Sequence, residues 1–282
     1  MSQTTMRRLA LDGVDLEVEV RGTGEPVLLI QTALVADEFL PLASQPALRD
    51  HYRVIRYHRR GYAHSSPIQG AGSIERDTAD ARALLAALGV AQAHVVGVSY
   101  SGAVALQLAA DSPSWVHSLV LLEPPPVHVP SAAQFVAATT QLLEDSRANG
   151  SAVALDRFLT RVIGRDWREA IERTLPGAPE QMERNTGTFF DTDLPALLAW
   201  RFGPEDAHRI IQPVLHIGGS ESGQFFAEVR DLMLAWLPQA EDVVLAGADH
   251  SLALTHPAEV ATALVDFLRR HPIPGETQRH PS

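Results

Sequence analysis

The chain has 282 residues, 45% of them hydrophobic, and a formal net charge of −11. That length supports a large core, as one domain with an insertion or as two small ones, and an acidic chain with no basic stripe to neutralise phosphates excludes a nucleic-acid partner. The absence of cysteine excludes disulfides and thiolate chemistry, and no apolar run reaches the roughly 18 residues of a membrane-spanning helix.

In chain order, Met1–Leu11 shows no apolar signal region after Arg7 and Arg8, so the expectation is a cytoplasmic protein with no membrane partner. Met6–Leu11 and Asp15–Arg21 alternate apolar and polar residues around Asp12-Gly13, which predicts a hairpin. Gly22-Thr23-Gly24 reads as a further hairpin turn, and Pro26–Ile30 as a strand buried on both faces. His51–Tyr57 is a strand leading into His58-Arg59-Arg60-Gly61-Tyr62, whose basic run reads as a solvated turn rather than an anion site. Ser73 caps a helix over Arg76–Leu88 that Gly89 stops. A strand at His94–Val98, a helix over Gly102–Ala110 and a strand at Val116–Leu122 complete a βαβα order, which implies a parallel sheet with helices on both faces. The rhythm breaks at Pro124-Pro125-Pro126. From Val127 to His208 the pattern is helical, four or five helices punctuated by Asn149-Gly150, Pro176-Gly177 and Pro179. Strands resume at Pro213–Ile217 and Asp242–Leu245, with helices over Phe225–Trp236 and Pro257–Arg269 and a polar tail, Pro272–Ser282, expected to fray.

Chemistry concentrates at Gly97-Val98-Ser99-Tyr100-Ser101, between a buried strand and a helix. A serine on a sharp strand-to-helix turn is a nucleophile elbow: its hydroxyl points up from the sheet, and the helix N-terminus behind it favours developing negative charge. Gly97 and Ser101 keep the flanks small, giving Gly-x-Ser-x-Ser in place of Gly-x-Ser-x-Gly. A serine hydroxyl is a weak nucleophile and needs a base. Among the 12 histidines the candidate is His250, which follows the last strand and precedes the last helix, on the sheet edge where the elbow opens.

With the Gly-x-Ser-x-small elbow, Gly247-x-x-His250 and the Arg60-Gly61-Tyr62 turn in order, the chain resembles the α/β-hydrolase fold superfamily over nearly its whole length. The resemblance implies a mostly parallel eight-stranded sheet flanked by helices. A core of residues 1–126 and 209–282 would carry a helical cap, 127–208, inserted after strand six. Most such enzymes place the acid just past the strand that follows the cap, where this chain has Ser222, with Glu221 beside it. A minority, including lactonases similar to zearalenone hydrolase, place it after the strand that follows the nucleophile helix, which here gives Glu123. Glu123 is the favoured acid and Glu221 the alternative. Their bland readings are a cap for the Pro-rich turn and a solvated helix-terminal acid. The resemblance also implies two oxyanion donors, the N–H groups of Tyr100 and of Ala33, in a loop where relatives have His-Gly and this chain has Gln31-Thr32-Ala33. Gln31, Thr32, Leu34 and Tyr100, with the aromatics Trp167, Phe189, Phe190, Trp200 and Phe202, are candidates for the pocket wall, most of the aromatics being expected to serve as cap core.

The expected function is a cofactor-free serine hydrolase cleaving a carboxylic ester or lactone through an acyl-enzyme on Ser99. No residues have metal-ligand spacing, the only partner implied is the small-molecule substrate, and a homodimer stays open. Because one fold hosts many reactions, C–C bond hydrolysis, a lyase or cyclase of secondary metabolism, and a small-molecule receptor remain alternatives; a structural module would leave the ordered serine, acid and histidine unexplained.

Overall fold

The protein is described by a computed structural model covering residues 6–162 and 165–275; the tail expected to fray lies outside the described residues from 276 onward. Eight strands form one sheet: β1 (Arg7–Leu11), β2 (Val14–Arg21), β3 (Pro26–Ile30), β4 (Arg53–His58), β5 (Ala93–Val98), β6 (Val116–Leu122), β7 (Val214–Gly219) and β8 (Ala240–Leu245). Their order is β1-β2-β4-β3-β5-β6-β7-β8. β1 and β2 pair antiparallel through the Asp12-Gly13 turn, β2 is antiparallel to β4, and every other pairing is parallel.

Both faces of the central strands are buried because successive side chains alternate. Leu28, Ile30, Ile55, Val95, Leu119 and Leu121 join one core with the helices Ile74–Ala87 and Tyr100–Asp111. Val27, Leu29, Val54, Val96, Val120 and Ile217 join the other with the helix Pro257–Arg270. Ser73 does cap its helix, its hydroxyl accepting the Arg76 N–H at 3.3 Å. Between β6 and β7 the described chain is helical without a strand: Ala132–Asn149, Ser151–Val162, Trp167–Thr174, Ala178–Arg184, then Thr186–Ala199 through a π-helical turn at Phe189–Asp193. Among the described residues no helix is long and apolar enough to cross a membrane.

Two readings of the sequence are corrected. Gly22-Thr23-Gly24 is not a hairpin turn, because β4 lies between β2 and β3. The loop crosses the start of β4 so closely that a Cβ on Gly22 would collide with the Tyr52 carbonyl. His58-Arg59-Arg60 is not a solvated turn: His58 and Arg59 are buried and their polar groups are answered internally. His58 lies between Glu17 (2.9 Å) and Asp37 (3.1 Å), and Arg60 pairs with Asp80.

The loop after β3 carries a buried Glu38, and burial pushes its carboxyl up to about 8 from 4.5. Such a group keeps a proton in the folded chain that the unfolded chain releases, so stability is lost as pH rises from about 4.5 to about 8. Glu38→Gln removes that loss. Its Tm should exceed wild type at pH 8 by roughly 2–6 °C and match it near pH 4; an equal shift at both pH values in thermal melts would contradict this.

Candidate active site

Sheet register sets the site. β3 lies between β4 and β5, so the loops after β3 and β5 open side by side at the carboxyl edge, where the strand order reverses. The Thr32 hydroxyl donates to the Val98 carbonyl at 3.0 Å, tying these two loops together. Val98 is level with Leu122 on β6, and Leu122 with Ile217 on β7. Hence Ser99, Glu123 and the Gly218-Gly219 end of β7 emerge next to one another, and the Ser99 N–H donates to the Leu122 carbonyl at 3.1 Å.

Ser99 has φ 48° and ψ −121°, a conformation an L-residue adopts at a cost of order 1–3 kcal/mol. That strain is the elbow: it ends β5, starts the helix Tyr100–Asp111, and leaves the serine half-buried between them. The turn is so close that a Cβ on Gly97 would collide with the Ser101 carbonyl. Serine replaces glycine at 101 without widening it, because the Ser101 hydroxyl is buried and bonds back to both the N–H and the carbonyl of Val98 at 2.9 Å.

Glu123 also has a positive φ, 43°, which turns its side chain along the sheet edge. Its Oε2 lies 2.8 Å from His250 Nδ1, and its Oε1 accepts the Gly219 N–H at 2.8 Å. Burial alone would raise this carboxyl. The His250 hydrogen bond and charge, with the Gly219 N–H, nevertheless hold it below the usual carboxylate range. A depressed acid contributes stability above about 4.5 and loses it as pH falls through its folded-state pKa. Phe226, in the first turn of the helix Gln224–Trp236, stacks on the His250 ring with centroids 3.9 Å apart and planes 16° off parallel. The imidazole is therefore fixed at one nitrogen and on one face. Among the described residues Nε2 of His250 makes no hydrogen bond, Ser99 Oγ included; such bonds often tighten only when substrate arrives. Glu221 is exposed and its carboxylate bonds nothing among the described residues, so the structure brings Glu123, not Glu221, to His250.

On the other side of Ser99, the backbone N–H groups of Tyr100 and Ala33 donate to no partner among the described residues, as an oxyanion hole requires. Among the described residues no cluster of three His, Cys, Asp or Glu side chains is arranged to hold a metal ion.

Residues 26–257 match the profile of the alpha/beta hydrolase fold family. The chain belongs to that family. It is 26% identical over 260 residues to a putative carbamate hydrolase, RutD of Agrobacterium fabrum, covering 89% of this chain and 97% of the relative. Two solved structures share the fold: a thermophilic esterase from Thermogutta terrifontis, at TM-score 0.78 and 21% identity over 96% of this chain and all (100%) of the other, and the enol-lactonase from Burkholderia xenovorans LB400, at TM-score 0.77 and 22% identity over 93% and 100%.

Within this alpha/beta hydrolase, the expected pocket residues divide. Leu34 clusters with Trp167, Phe189 and Phe190 of the helical insertion and with Leu254, four residues past His250, so this cluster adjoins both sides of the site. Trp200 and Phe202 do not join it. They belong to the sheet-side core, where the Trp200 indole N–H donates to Gln107 Oε1 at 2.8 Å. Gln31 and Thr32 spend their polar groups inside the protein: the Gln31 amide holds the Arg59 N–H and the Thr32 carbonyl. The Tyr100 side chain is also turned inward, donating to Asp77 at 2.9 Å. Sequence reasoning missed Phe226, the Gly219 N–H, and the buried ion cluster of Arg59 with Asp77 and Asp193. The local sequence carries no signal for Asp193, because Asp191 stands two residues before it in the same Phe-Phe-Asp-Thr-Asp-Leu run and is exposed.

The two candidate acids separate cleanly by substitution. Glu123→Gln should slow stoichiometric fluorophosphonate labelling of Ser99 by about 10³–10⁴-fold, whereas Glu221→Gln should change it less than about twofold, as for a surface residue. Equal effects, read by intact mass and peptide mapping, would remove Glu123 from the acid's role.

Proposed function

We propose that this hydrolase-family protein is a serine hydrolase that needs no cofactor and cleaves a carboxylic ester or lactone. The observation that carries the reading is the His250–Glu123 hydrogen bond of 2.8 Å beside a serine in the strained elbow conformation. Ser99 Oγ attacks the substrate carbonyl while His250 Nε2 takes its proton. Glu123 keeps the imidazole in the tautomer that presents Nε2 and stabilises the imidazolium that forms. The Tyr100 and Ala33 N–H groups hold the tetrahedral oxyanion. His250 then returns the proton to the leaving alkoxide, and water, activated by the same histidine, releases the acid from Ser99.

Residues 127–208 act in this reading as a cap on the core formed by 1–126 and 209–282. The apolar cluster of Leu34, Trp167, Phe189 and Leu254 supports an apolar body on the substrate. The esterase and enol-lactonase that share the fold, and the putative carbamate hydrolase among the sequence relatives, supply the first substrates to try: short acyl esters, enol and aliphatic lactones, and carbamates.

Ser99→Ala should reduce ester or lactone turnover at least about 10³-fold with the fold intact by circular dichroism. The wild type, quenched during turnover of a slow ester, should show one added acyl mass on the peptide containing Ser99. Undiminished turnover in Ser99→Ala would overturn the acyl-enzyme mechanism.

A further inference from the structure

The Arg59 guanidinium is almost completely buried, and each of its five N–H groups has an acceptor. Nη1 donates to Asp77 Oδ2 at 2.6 Å and to Asp193 Oδ1 at 3.2 Å, and Nη2 to Asp193 Oδ2 at 2.9 Å. The remaining two go to the loop after β3: Nε to the Gln31 carbonyl at 2.9 Å and Nη2 to the Thr32 carbonyl at 3.3 Å. The Tyr100 ring lies against the guanidinium face, 4.3 Å from its centroid.

The Thr32 carbonyl belongs to the same peptide plane as the Ala33 N–H. The described chain has no cis peptide, and in a trans peptide the carbonyl and the N–H point in opposite directions. The Thr32 oxygen is held by Arg59 and by the Gln31 amide, at 3.0 Å, whose own oxygen accepts the Arg59 N–H; together they turn the Ala33 N–H to the opposite side. The next peptide is fixed from the same cluster: the Leu34 N–H donates to Tyr62 Oη at 2.7 Å, and Tyr62 in turn donates to Asp193. Leu34 has φ 68°, so the loop holds an uncommon conformation between these two anchors. Asp193 comes from the insertion, at the end of the π-helical turn. The turn that leads to it is seated by close approaches, where a Cβ on Gly61 would collide with Thr188 and one on Gly72 with Thr192.

We propose that Asp193 and Arg59 are positioning residues that aim the Ala33 N–H at the oxyanion, so that the helical insertion completes the oxyanion hole from 160 residues downstream of Ala33. This rests on the reading in which Ala33 is a donor to the tetrahedral intermediate. An ion pair serving stability alone has no need of the loop carbonyls. Arg60 and Asp80 form such a pair on the same turn (Nη2 to Oδ1 at 2.8 Å), and Arg60's other partner is the Gly13 carbonyl, remote from the loop. That pair is the internal control.

The test compares Asp193→Asn, Tyr62→Phe and Asp80→Asn with wild type. It reads kcat and KM on a p-nitrophenyl ester, affinity for a trifluoromethyl ketone of matching acyl group, and Tm. The ketone forms a hemiketal oxyanion on serine and so reports the hole itself. Asp193→Asn should lower kcat about 10- to 100-fold with KM within about twofold, and weaken the ketone by a similar factor. Tyr62→Phe should move both in the same direction by a smaller factor, and decides the matter if Asp193→Asn does not fold. Asp80→Asn should lower Tm with kcat and ketone affinity unchanged. Lowered Tm in Asp193→Asn or Tyr62→Phe, with kcat and ketone affinity as in wild type, would reduce the cluster to a structural role and leave the serine-hydrolase reading standing. A wild type that neither turns over the ester nor binds the ketone would overturn that reading, and this proposal with it.

Discussion

A carboxylate kept ionised in a nearly dry place is the constraint on which the candidate site of this structure depends. Glu123 sits at the end of a fully buried strand, where water can do little for its charge, and an unpartnered acid there would take up a proton. The surroundings are arranged to prevent that. β7 ends in glycines, and a side chain on Gly219, whose N–H meets Oε1, would collide with the Ala248 carbonyl. The loop after β8 brings His250 to the other oxygen. The positive φ at Glu123 is the backbone cost of aiming the carboxylate along the edge instead of upward, and packing of β6 between β5 and β7 holds it there.

The opposite side of Ser99 is organised by a buried cation. Arg59 faces two carboxylates, two loop carbonyls and the Tyr100 ring, so the residue after Ser99 is fixed from below by the cluster that also grips the loop after β3. Ser99 thus stands between an anion-centred and a cation-centred network, each contributed by segments far apart in the chain. Both networks are satisfied by hydrogen bonds at nearly every polar atom, the condition under which buried charge rigidifies a site instead of destabilising it.

Neighbouring substitutions follow from the same geometry. Ser222, where the resemblance led to the expectation of an acid, has a buried hydroxyl that makes no hydrogen bond among the described residues. With Glu123 meeting His250, this loop enters the helix Gln224–Trp236, whose Phe226 covers the face of His250. His216, one strand over from Leu121, is pushed toward its neutral form by burial, and Asp242 holds its Nδ1.

The amino-acid sequence by itself determined whatever depends on local pattern. Continuous apolar runs specified the buried parallel strands, Ser73 specified a helix start, and Gly97-x-Ser99 between strand and helix specified the strained turn, because periodicity, capping and close approach act within a few residues. It also placed His250 and Glu123 at the correct edge, since strand ends in a parallel sheet share one side. Only the tertiary structure decided which acid meets the histidine, a contact spanning 127 positions, and that Arg59 is buried against an aspartate 134 positions away. The same is true of Trp200, which lies in the sheet-side core while Trp167 joins the cluster beside the site, although both read from sequence as aromatics of one helical run. Burial and charge pairing are properties of the packed whole. A basic triplet after a strand reads identically whether water or a carboxylate answers it.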